Sequence, residues 1–335
     1  MDSLKNIVAA SAMSVAAMGA MASDFPGVDP QIATFLKAIE NGAPIEKMTP
    51  KEARQVLIDA QKGVELPKAD VSQKTIKVDG EDVKLYIVRP AGVKGTLPAF
   101  VYVHGGGWVL GDFQTHERLV RDLVNYSGAV AVFVEYTPSP EAKYGTAIKQ
   151  AYGTAKWVAA HGKEINVDGT RLAVAGNSVG GNMAAAVALM AKDKGEPKLR
   201  SQVLLWPVTD HNFETGSYQA FDHGYFLTRN MMKWFWDNYT TDAAARKEIY
   251  ASPLQATVEQ LKGLPPALVQ TAEFDVLRDE GEAYARKMAE AGVEVTATRH
   301  IGLIHDYGLL NPISKVPGVQ GALRQAGKEL AYRLK

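Results

Sequence analysis

A serine between two glycines is the residue in this sequence best suited to nucleophilic chemistry. Residues 176–180 read GNSVG, the G-x-S-x-G pattern in which a tight turn exposes a serine hydroxyl between a strand and a helix. The apolar run 172–175 precedes this turn, and an alanine-rich run follows from Met183. The glycines remove the Cβ atoms that such a tight turn would bring into collision. The pattern predicts that Ser178 is a nucleophile at the start of a helix.

A serine nucleophile requires a base, and His305 is the best placed of the seven histidines. It follows the last strand pattern, where Gly302 frees the backbone to turn. In an open α/β sheet, ligands bind at the carboxyl ends of the strands. We interpret His104 as a structural partner of the glycine run beside it. The remaining histidines, interpreted as ordinary polar, surface or core residues, are His116, His161, His211, His223 and His300.

The base in turn needs an acid to orient it, and the acid should lie between serine and histidine in the chain. Asp275 comes directly after the strand pattern 267–272, so its carboxylate can reach across to the histidine. Glu273, Asp279 and Glu280 are alternatives. The last two suit the first turn of a helix, where the dipole favours acidic groups.

A run of three glycines follows the apolar stretch 98–103. Residues 104–108 read HGGGW, and backbone N–H groups without side chains beside them can stabilise an oxyanion. A phosphate cradle is the competing interpretation, but no lysine follows in the pattern G-x-x-x-x-G-K-[ST].

The predicted nucleophile, base, acid and glycine run are connected by apolar runs that alternate with helical segments. This alternation predicts a parallel sheet covered by helices on both faces. A hairpin at 74–78 and 83–88, turning at Asp79-Gly80, predicts an antiparallel edge. The other predicted strands are 98–103, 129–134, 172–175, 202–206, 267–272 and 293–299. We assign the catalytic core to residues 71–208 and 262–335.

Two segments fall outside this alternation. Helical patterns within residues 23–70 precede any strand, which indicates the N-terminal part of a cap. Residues 209–261 are rich in aromatic side chains and interrupt the alternation, so we interpret them as a cap insertion. An ordinary connecting helix with a good core face would account for some of the same aromatic residues.

Composition narrows the class of protein. The chain has 335 residues, 46% of them hydrophobic and 22% charged, as in soluble globular proteins. Lys+Arg and Asp+Glu both number 37, so neither nucleic acid nor an anionic membrane surface is indicated as a partner. The chain has no cysteine, which excludes disulfides and thiolate chemistry. Neither metal-ligand spacing nor a nucleotide fingerprint is found, and we expect no cofactor.

The N-terminus has the pattern of a secretory signal. Lys5 precedes a small-apolar run that ends in Ala20-Met21-Ala22, an A-x-A-like cleavage site. Residues 1–22 therefore predict a periplasmic or secreted protein. The alternative is an uncleaved N-terminal extension on a cytoplasmic protein. The run is too short and too weakly apolar to predict stable membrane insertion.

Taken together, the motifs resemble the hormone-sensitive-lipase-like branch of the α/β-hydrolases, which includes bacterial esterases and acetyl hydrolases. The resemblance rests on HGGGW at 104–108, GNSVGG at 176–181, DVLRDEG at 275–281 and the pair His305-Asp306. It implies an α/β-hydrolase fold with a mostly parallel eight-stranded sheet, helices on both faces and a helical cap. The order Ser178, Asp275, His305 is the order of this fold.

The resemblance also implies a mechanism and an activity. Ser178 would attack an ester carbonyl, His305 would take its proton, and Asp275 would hold the imidazole. The backbone N–H groups that would receive the oxyanion are those of Gly106, Gly107 and Val179. Water would then resolve the acyl-enzyme. The implied function is a serine carboxylesterase for small-molecule esters with short to medium acyl chains.

The acyl pocket is predicted from the position of aromatic and apolar residues. Trp108 follows the glycine run and is expected to edge the pocket. The candidates for its walls are Trp206, Phe221, Tyr225, Phe226 and Leu309. The family often pairs through its last strand edge, here 293–299, which makes a homodimer an expectation.

Three residues depart from the family pattern: Asn177 replaces the usual aspartate, Val276 a frequent proline, and Asp306 a frequent glycine. None of them removes a catalytic group. The same catalytic residues could also hydrolyse lactones, acetyl esters such as acetylated sugars, or amides, and the sequence does not distinguish these substrates. A non-catalytic ligand-binding protein on this fold is the alternative from another functional class, although the histidine is present.

Overall fold

One eight-stranded sheet forms the centre of the protein. The structure is a computed structural model and describes residues 24–335; the predicted signal or extension at 1–22 lies outside the described residues. The strands are β1 (Ala69–Val78), β2 (Glu81–Pro90), β3 (Leu97–Val103), β4 (Val130–Glu135), β5 (Val167–Asn177), β6 (Gln202–Leu205), β7 (Ala267–Phe274) and β8 (Val295–Ile304). Their order is β1-β2-β4-β3-β5-β6-β7-β8.

The pairing directions follow the hydrophobic patterns. β1 and β2 pair antiparallel, as do β2 and β4, whereas all pairs from β4 to β8 are parallel. β3 and β4 in the middle of the sheet are apolar apart from Glu135 and have no exposed residue on either face, as a parallel sheet between helical layers requires. The predicted edge hairpin is longer than expected, because the ladder extends beyond 74–78 and 83–88 to span 69–90.

Helices cover both faces of the sheet. They are α1 (Pro30–Ile39), α2 (Pro50–Ala60), α3 (Phe113–Ser127), α4 (Thr146–His161), α5 (Val179–Lys194), α6 (Gly216–Ala220), α7 (Arg229–Tyr239), α8 (Ala243–Arg246), α9 (Val258–Leu261), α10 (Arg278–Glu290) and α11 (Pro317–Arg333). Apolar residues of α3 and α11 belong to one buried cluster, and those of α4, α5 and α10 to the other. The predicted α/β-hydrolase architecture is therefore confirmed.

Helices outside the βα alternation pack at the carboxyl ends of the strands. The insertion between β6 and β7 contains α6 to α9. Trp108, just after β3, stacks on Tyr239 of α7 with ring centroids 4.0 Å apart and meets Trp236 edge-on at 4.8 Å. Phe35 of α1 lies 6.2 Å from Phe226 of the insertion, so the N-terminal helices contact the insertion. Among residues 24–335, no helix is long and apolar enough to cross a bilayer.

Candidate active site

The turn that carries Ser178 is strained and depends on its glycines. β5 ends at Asn177 and α5 begins at Val179, with Ser178 at φ 53° and ψ −122°. This backbone conformation is unusual for a residue with a side chain and is typical of functional sites. A Cβ on Gly180 would collide with the carbonyl oxygen of Val103, and one on Gly176 with the backbone of Gly180. The serine is therefore held at a sharp strand-to-helix turn.

The structure brings Ser178, His305 and Asp275 into one hydrogen-bonded chain. His305 Nε2 lies 3.0 Å from Ser178 Oγ, and His305 Nδ1 lies 2.7 Å from Asp275 Oδ2. The second carboxylate oxygen of Asp275 accepts the Leu277 N–H at 2.9 Å. The side chains of Ser178, His305 and Asp275 are all buried. With Nδ1–H donating to the carboxylate, Nε2 is free to accept the serine proton.

The alternative acids have other partners. Glu273 accepts the N–H of Gly302 at 2.8 Å. Asp279 accepts the N–H of Ser217 at 2.7 Å. Glu280 accepts backbone N–H groups of the segment after β6, the closest at 2.6 Å from Thr209. In the described chain, Asp275 is the carboxylate that contacts His305 Nδ1.

The environment of His305 favours its protonated form. Burial by itself lowers the pKa of the imidazole, but the carboxylates of Asp275 and Asp306 outweigh that effect, and the net pKa is raised. Asp306 Oδ1 lies 3.9 Å from Nε2. Burial raises the pKa of Asp306 itself, although His305 and two hydrogen bonds oppose the rise. These charges stabilise an imidazolium at the position where proton transfer from serine would form one.

Asn177 and Asp306, two departures from the family pattern, contact each other. Asn177 Oδ1 accepts the Tyr102 hydroxyl at 2.8 Å and the Gly105 N–H at 3.0 Å. Its Nδ2 then donates to Asp306 Oδ1 at 3.3 Å, which also accepts the Trp206 indole N–H at 2.8 Å. An amide at position 177 is therefore complementary to a carboxylate at position 306.

The glycine run forms a tight loop next to α7. Gly106 and Gly107 have φ of 100° and 63°, and the Leu110 N–H closes the turn by donating to the Gly106 carbonyl at 2.7 Å. The ring of Phe235 lies against the Cα of Gly107, leaving no room for a Cβ. Phe235 is a site residue that sequence reasoning missed. The one feature of the sequence that could have pointed to Phe235 is its place in the aromatic pattern of α7.

His104 has the structural position that its sequence context suggested. Its Nδ1 lies 2.8 Å from the Gly105 carbonyl, and its ring stacks on Tyr136 with centroids 4.0 Å apart. Burial lowers the pKa of His104 to about 4. The ring is therefore neutral at pH 7 and serves as a packing element beneath the glycine loop.

The predicted pocket residues occupy three places. Trp108 is stacked against α7, in the insertion between β6 and β7. Trp206 and Leu309 are buried close to the histidine, Trp206 through its bond to Asp306. The other three candidates are half-buried and form aromatic contacts: Phe221 with Phe274 at 5.5 Å, Tyr225 with Phe274 at 5.4 Å, and Phe226 with Phe35. Phe274 immediately precedes the acid in the chain.

Comparison with known proteins identifies the family. Residues 100–309 match a family model described as the alpha/beta hydrolase fold. The chain belongs to the α/β-hydrolase family. It is 66% identical to a solved thermostable esterase from Pseudomonas putida ECU1011, with a TM-score of 0.92 over 92% of this chain and 98% of that one.

Curated relatives carry ester-hydrolase names. The chain is 31% identical to an ethyl acetate hydrolase of Pseudomonas putida, covering 84% of this chain and 92% of the relative. It is 34% identical to a carboxylesterase of Mycobacterium tuberculosis (strain CDC 1551 / Oshkosh), covering 72% and 76%. This α/β-hydrolase is therefore a carboxylic ester hydrolase of the hormone-sensitive-lipase-like branch.

Proposed function

We propose that this α/β-hydrolase cleaves short- to medium-chain acyl esters through an acyl-enzyme on Ser178. The observation that carries the proposal is the buried hydrogen-bonded chain from Ser178 Oγ to His305 Nε2, at 3.0 Å, and from His305 Nδ1 to Asp275, at 2.7 Å. A nucleophile, a base and a group that orients the base are the requirements of acyl transfer by serine.

The proposed reaction assigns a group of this chain to each step. Ser178 Oγ attacks the ester carbonyl carbon while its proton passes to His305 Nε2, and Asp275 stabilises the imidazolium. The backbone N–H groups assigned to the oxyanion are those of Gly106, Gly107 and Val179, the last at the positive end of α5. The imidazolium protonates the leaving alcohol. Water, deprotonated by His305, then releases the acid.

A preference for small acyl groups is supported by the surroundings of the serine and by one relative. Ser178 is only 4% exposed, and the bulky side chains of Trp206 and Phe235 lie next to the histidine network and the glycine loop. The ethyl acetate hydrolase among the relatives acts, by its name, on an acetyl ester. We therefore expect activity to fall as the acyl chain lengthens.

Hydrolysis of p-nitrophenyl acetate, butyrate, octanoate and palmitate tests both parts of the proposal. We expect Ser178→Ala to lower kcat by about 10⁴-fold or more and to abolish labelling by a fluorophosphonate. Ser201→Ala is the matched control, because Ser201 is also buried but lies immediately before β6. A folded Ser178→Ala protein that keeps more than a tenth of the activity would refute the nucleophile. Highest activity on palmitate would refute the acyl preference.

We also propose a homodimer through the last strand. β8 is the terminal strand of the sheet, so no further strand pairs with its outer edge within the described chain, and Ile301 is 72% exposed. An exposed strand edge readily pairs with a second copy. Sedimentation of the protein and of Ile301→Lys tests this proposal: a monomer for the unmodified protein would reject it.

Export is the remaining proposal. The pattern of residues 1–22 supports secretion or a periplasmic location, with a cytoplasmic protein as the alternative. The N-terminal sequence of the protein recovered after expression in a bacterium decides between them. A new N-terminus at Ser23 in the periplasmic fraction supports export, and an intact Met1 in the cytoplasm contradicts it.

A further inference from the structure

Helix α2 is joined to the loops of the active site by polar side chains. It begins in a capping box between Thr49 and Glu52, and Ala53 is its one buried residue. Val56, Leu57 and Ile58 are half-buried, and Leu57 packs against one of the two buried clusters, so apolar contacts also contribute to docking. Arg54 within the helix and Gln61 just after it make the long-range hydrogen bonds of this segment.

Gln61 uses its whole side-chain amide to join α2 to the loop after the histidine. Its Nε2 donates to the carbonyls of Thr115 at 2.7 Å and Leu309 at 2.8 Å. Its Oε1 accepts the Asn311 N–H at 3.0 Å, and its backbone carbonyl accepts Asn311 Nδ2 at 2.8 Å. Gln61 is 6% exposed. A primary amide supplies two donors and an acceptor together, which explains the choice of glutamine here.

The loop that Gln61 contacts is the one that carries the base. Leu309 and Asn311 come four and six residues after His305. The same loop accepts Arg118 from α3, whose Nε donates to Asn311 Oδ1 at 2.7 Å and whose guanidinium donates to the Leu309 carbonyl at 3.0 Å. Displacing these anchors would therefore move the segment that sets the imidazole position.

Arg54 makes the corresponding contact with the glycine loop. Its Nε donates to the Val109 carbonyl at 2.7 Å, and its guanidinium donates to the Ser139 carbonyl at 3.0 Å. Glu141 holds the guanidinium in a two-point ion pair at 2.7 and 2.8 Å. The Val109 N–H in turn donates to the Gly106 carbonyl at 3.1 Å. One helix thus reaches both loops that flank the nucleophile.

We propose that Gln61 and Arg54 are positioning residues for ester hydrolysis: Gln61 sets the loop of His305, and Arg54 sets the glycine loop. The proposal rests on the function proposed above. It means that α2 contributes to the rate of the chemical step, and not only to the covering of the substrate. Misplacement of a catalytic group by about 1 Å can cost about a hundredfold in rate.

Gln61→Met tests the first half, because methionine keeps the length of the side chain and removes every polar atom of the amide. Gln55→Met is the matched control: Gln55 lies on the same helix, is exposed, and bonds only to Asp59. We measure kcat and KM for p-nitrophenyl acetate, the concentration of active sites by fluorophosphonate titration, and the rate constant of that labelling. Every assay runs at least 15 °C below the melting temperature of the variant.

For Gln61→Met we expect kcat per titrated site to fall between about tenfold and a hundredfold, with a parallel fall in the labelling rate constant. KM should stay within twofold, because the side-chain amide of Gln61 bonds only to backbone groups and not to a side chain assigned to the acyl pocket. Gln55→Met should match the unmodified protein. Arg54→Met, at a partly exposed position, provides a second variant should Gln61→Met not fold, and we expect the same loss of kcat per site.

Two results would overturn the inference. In the first, kcat per titrated site stays within twofold in both Gln61→Met and Arg54→Met. In the second, only the number of titrated sites falls, which would mean that the two residues stabilise the fold without positioning the loops. Failure of the unmodified protein to hydrolyse any ester or to take the label would instead overturn the proposed function, and the inference with it.

Discussion

Asn177→Asp is the substitution that most directly tests the electrostatics of this site. The change keeps the size of the side chain and both hydrogen bonds that Asn177 Oδ1 accepts from Tyr102 and Gly105. It removes the donor that faces Asp306 at 3.3 Å and places a second carboxylate there. Because both positions are buried, water can screen the new repulsion only weakly.

The magnitude follows from the distance. Two full charges about 3.3 Å apart repel by about 5 kcal/mol at an effective dielectric constant of about 20, and losing a hydrogen bond to a charged group costs about 1.5–3 kcal/mol. The folded protein can reduce the repulsion by binding a proton between the carboxylates, since burial already raises the pKa of Asp306. We expect a loss of about 2–5 kcal/mol at pH 8 and a smaller loss at pH 5.

The sign of the pH dependence follows from the raised pKa. A carboxyl group whose pKa is higher in the folded than in the unfolded state binds more protons when folded, so stability is retained at low pH and lost as pH rises. Urea denaturation at pH 5 and pH 8 measures the difference. Asn125→Asp, at an exposed position, controls for the change in net charge.

A second substitution should reverse the effect. Asp306 has φ 57°, a conformation that glycine adopts without cost, so Asp306→Gly can remove the facing carboxylate without straining the turn. We expect Asn177→Asp combined with Asp306→Gly to be less destabilised at pH 8 than the two single changes added together. Equal destabilisation of Asn177→Asp at both pH values, or strict additivity in the double variant, would refute this account of the pair.

Two further changes probe the glycine loop and the base. Gly107→Ala should lower both the melting temperature and kcat, because a Cβ would overlap the ring of Phe235 at a residue with φ 63°. Gly63→Ala is the control, since Gly63 has a similar φ but open space around it, and it should lower the melting temperature less. An equal fall in melting temperature would exclude the overlap as the cause. Asp306→Asn should move the acidic limb of the kcat/KM profile to lower pH. The reason is that the Asp306 charge helps to raise the pKa of His305, and His305 must be unprotonated to act as a base. An acidic limb that stays in place or moves to higher pH would contradict this reasoning.

Local physical chemistry made much of the protein predictable from its sequence. The tight turn around Ser178 needs its glycines within five consecutive residues, so the requirement is visible in the sequence itself. Buried parallel strands need continuous apolar runs, which located the central strands and the edge at which their carboxyl ends meet. The expectations of an α/β-hydrolase fold and of a carboxylic ester hydrolase were both confirmed.

Tertiary structure decided the contacts between distant segments. Asn177 meets Asp306 across 129 residues of chain, and Gln61 meets Asn311 across 250. Neither pair leaves a periodic or local signal, because the contact arises only when separate loops pack at one end of the sheet. The contact between the Phe235 ring and Gly107 is of the same kind.

The sequence by itself therefore determined which residues could supply a nucleophile, a base and an acid, since those roles depend on residue type and on strand ends. Only the tertiary structure decided how these groups are held and charged. Hydrogen bonds and pKa values depend on burial and on neighbours brought together by folding, which no spacing along the chain records. For this α/β-hydrolase, the motif around Ser178 could be found in the sequence, whereas the hydrogen-bonded network around His305 could be found only in the folded structure.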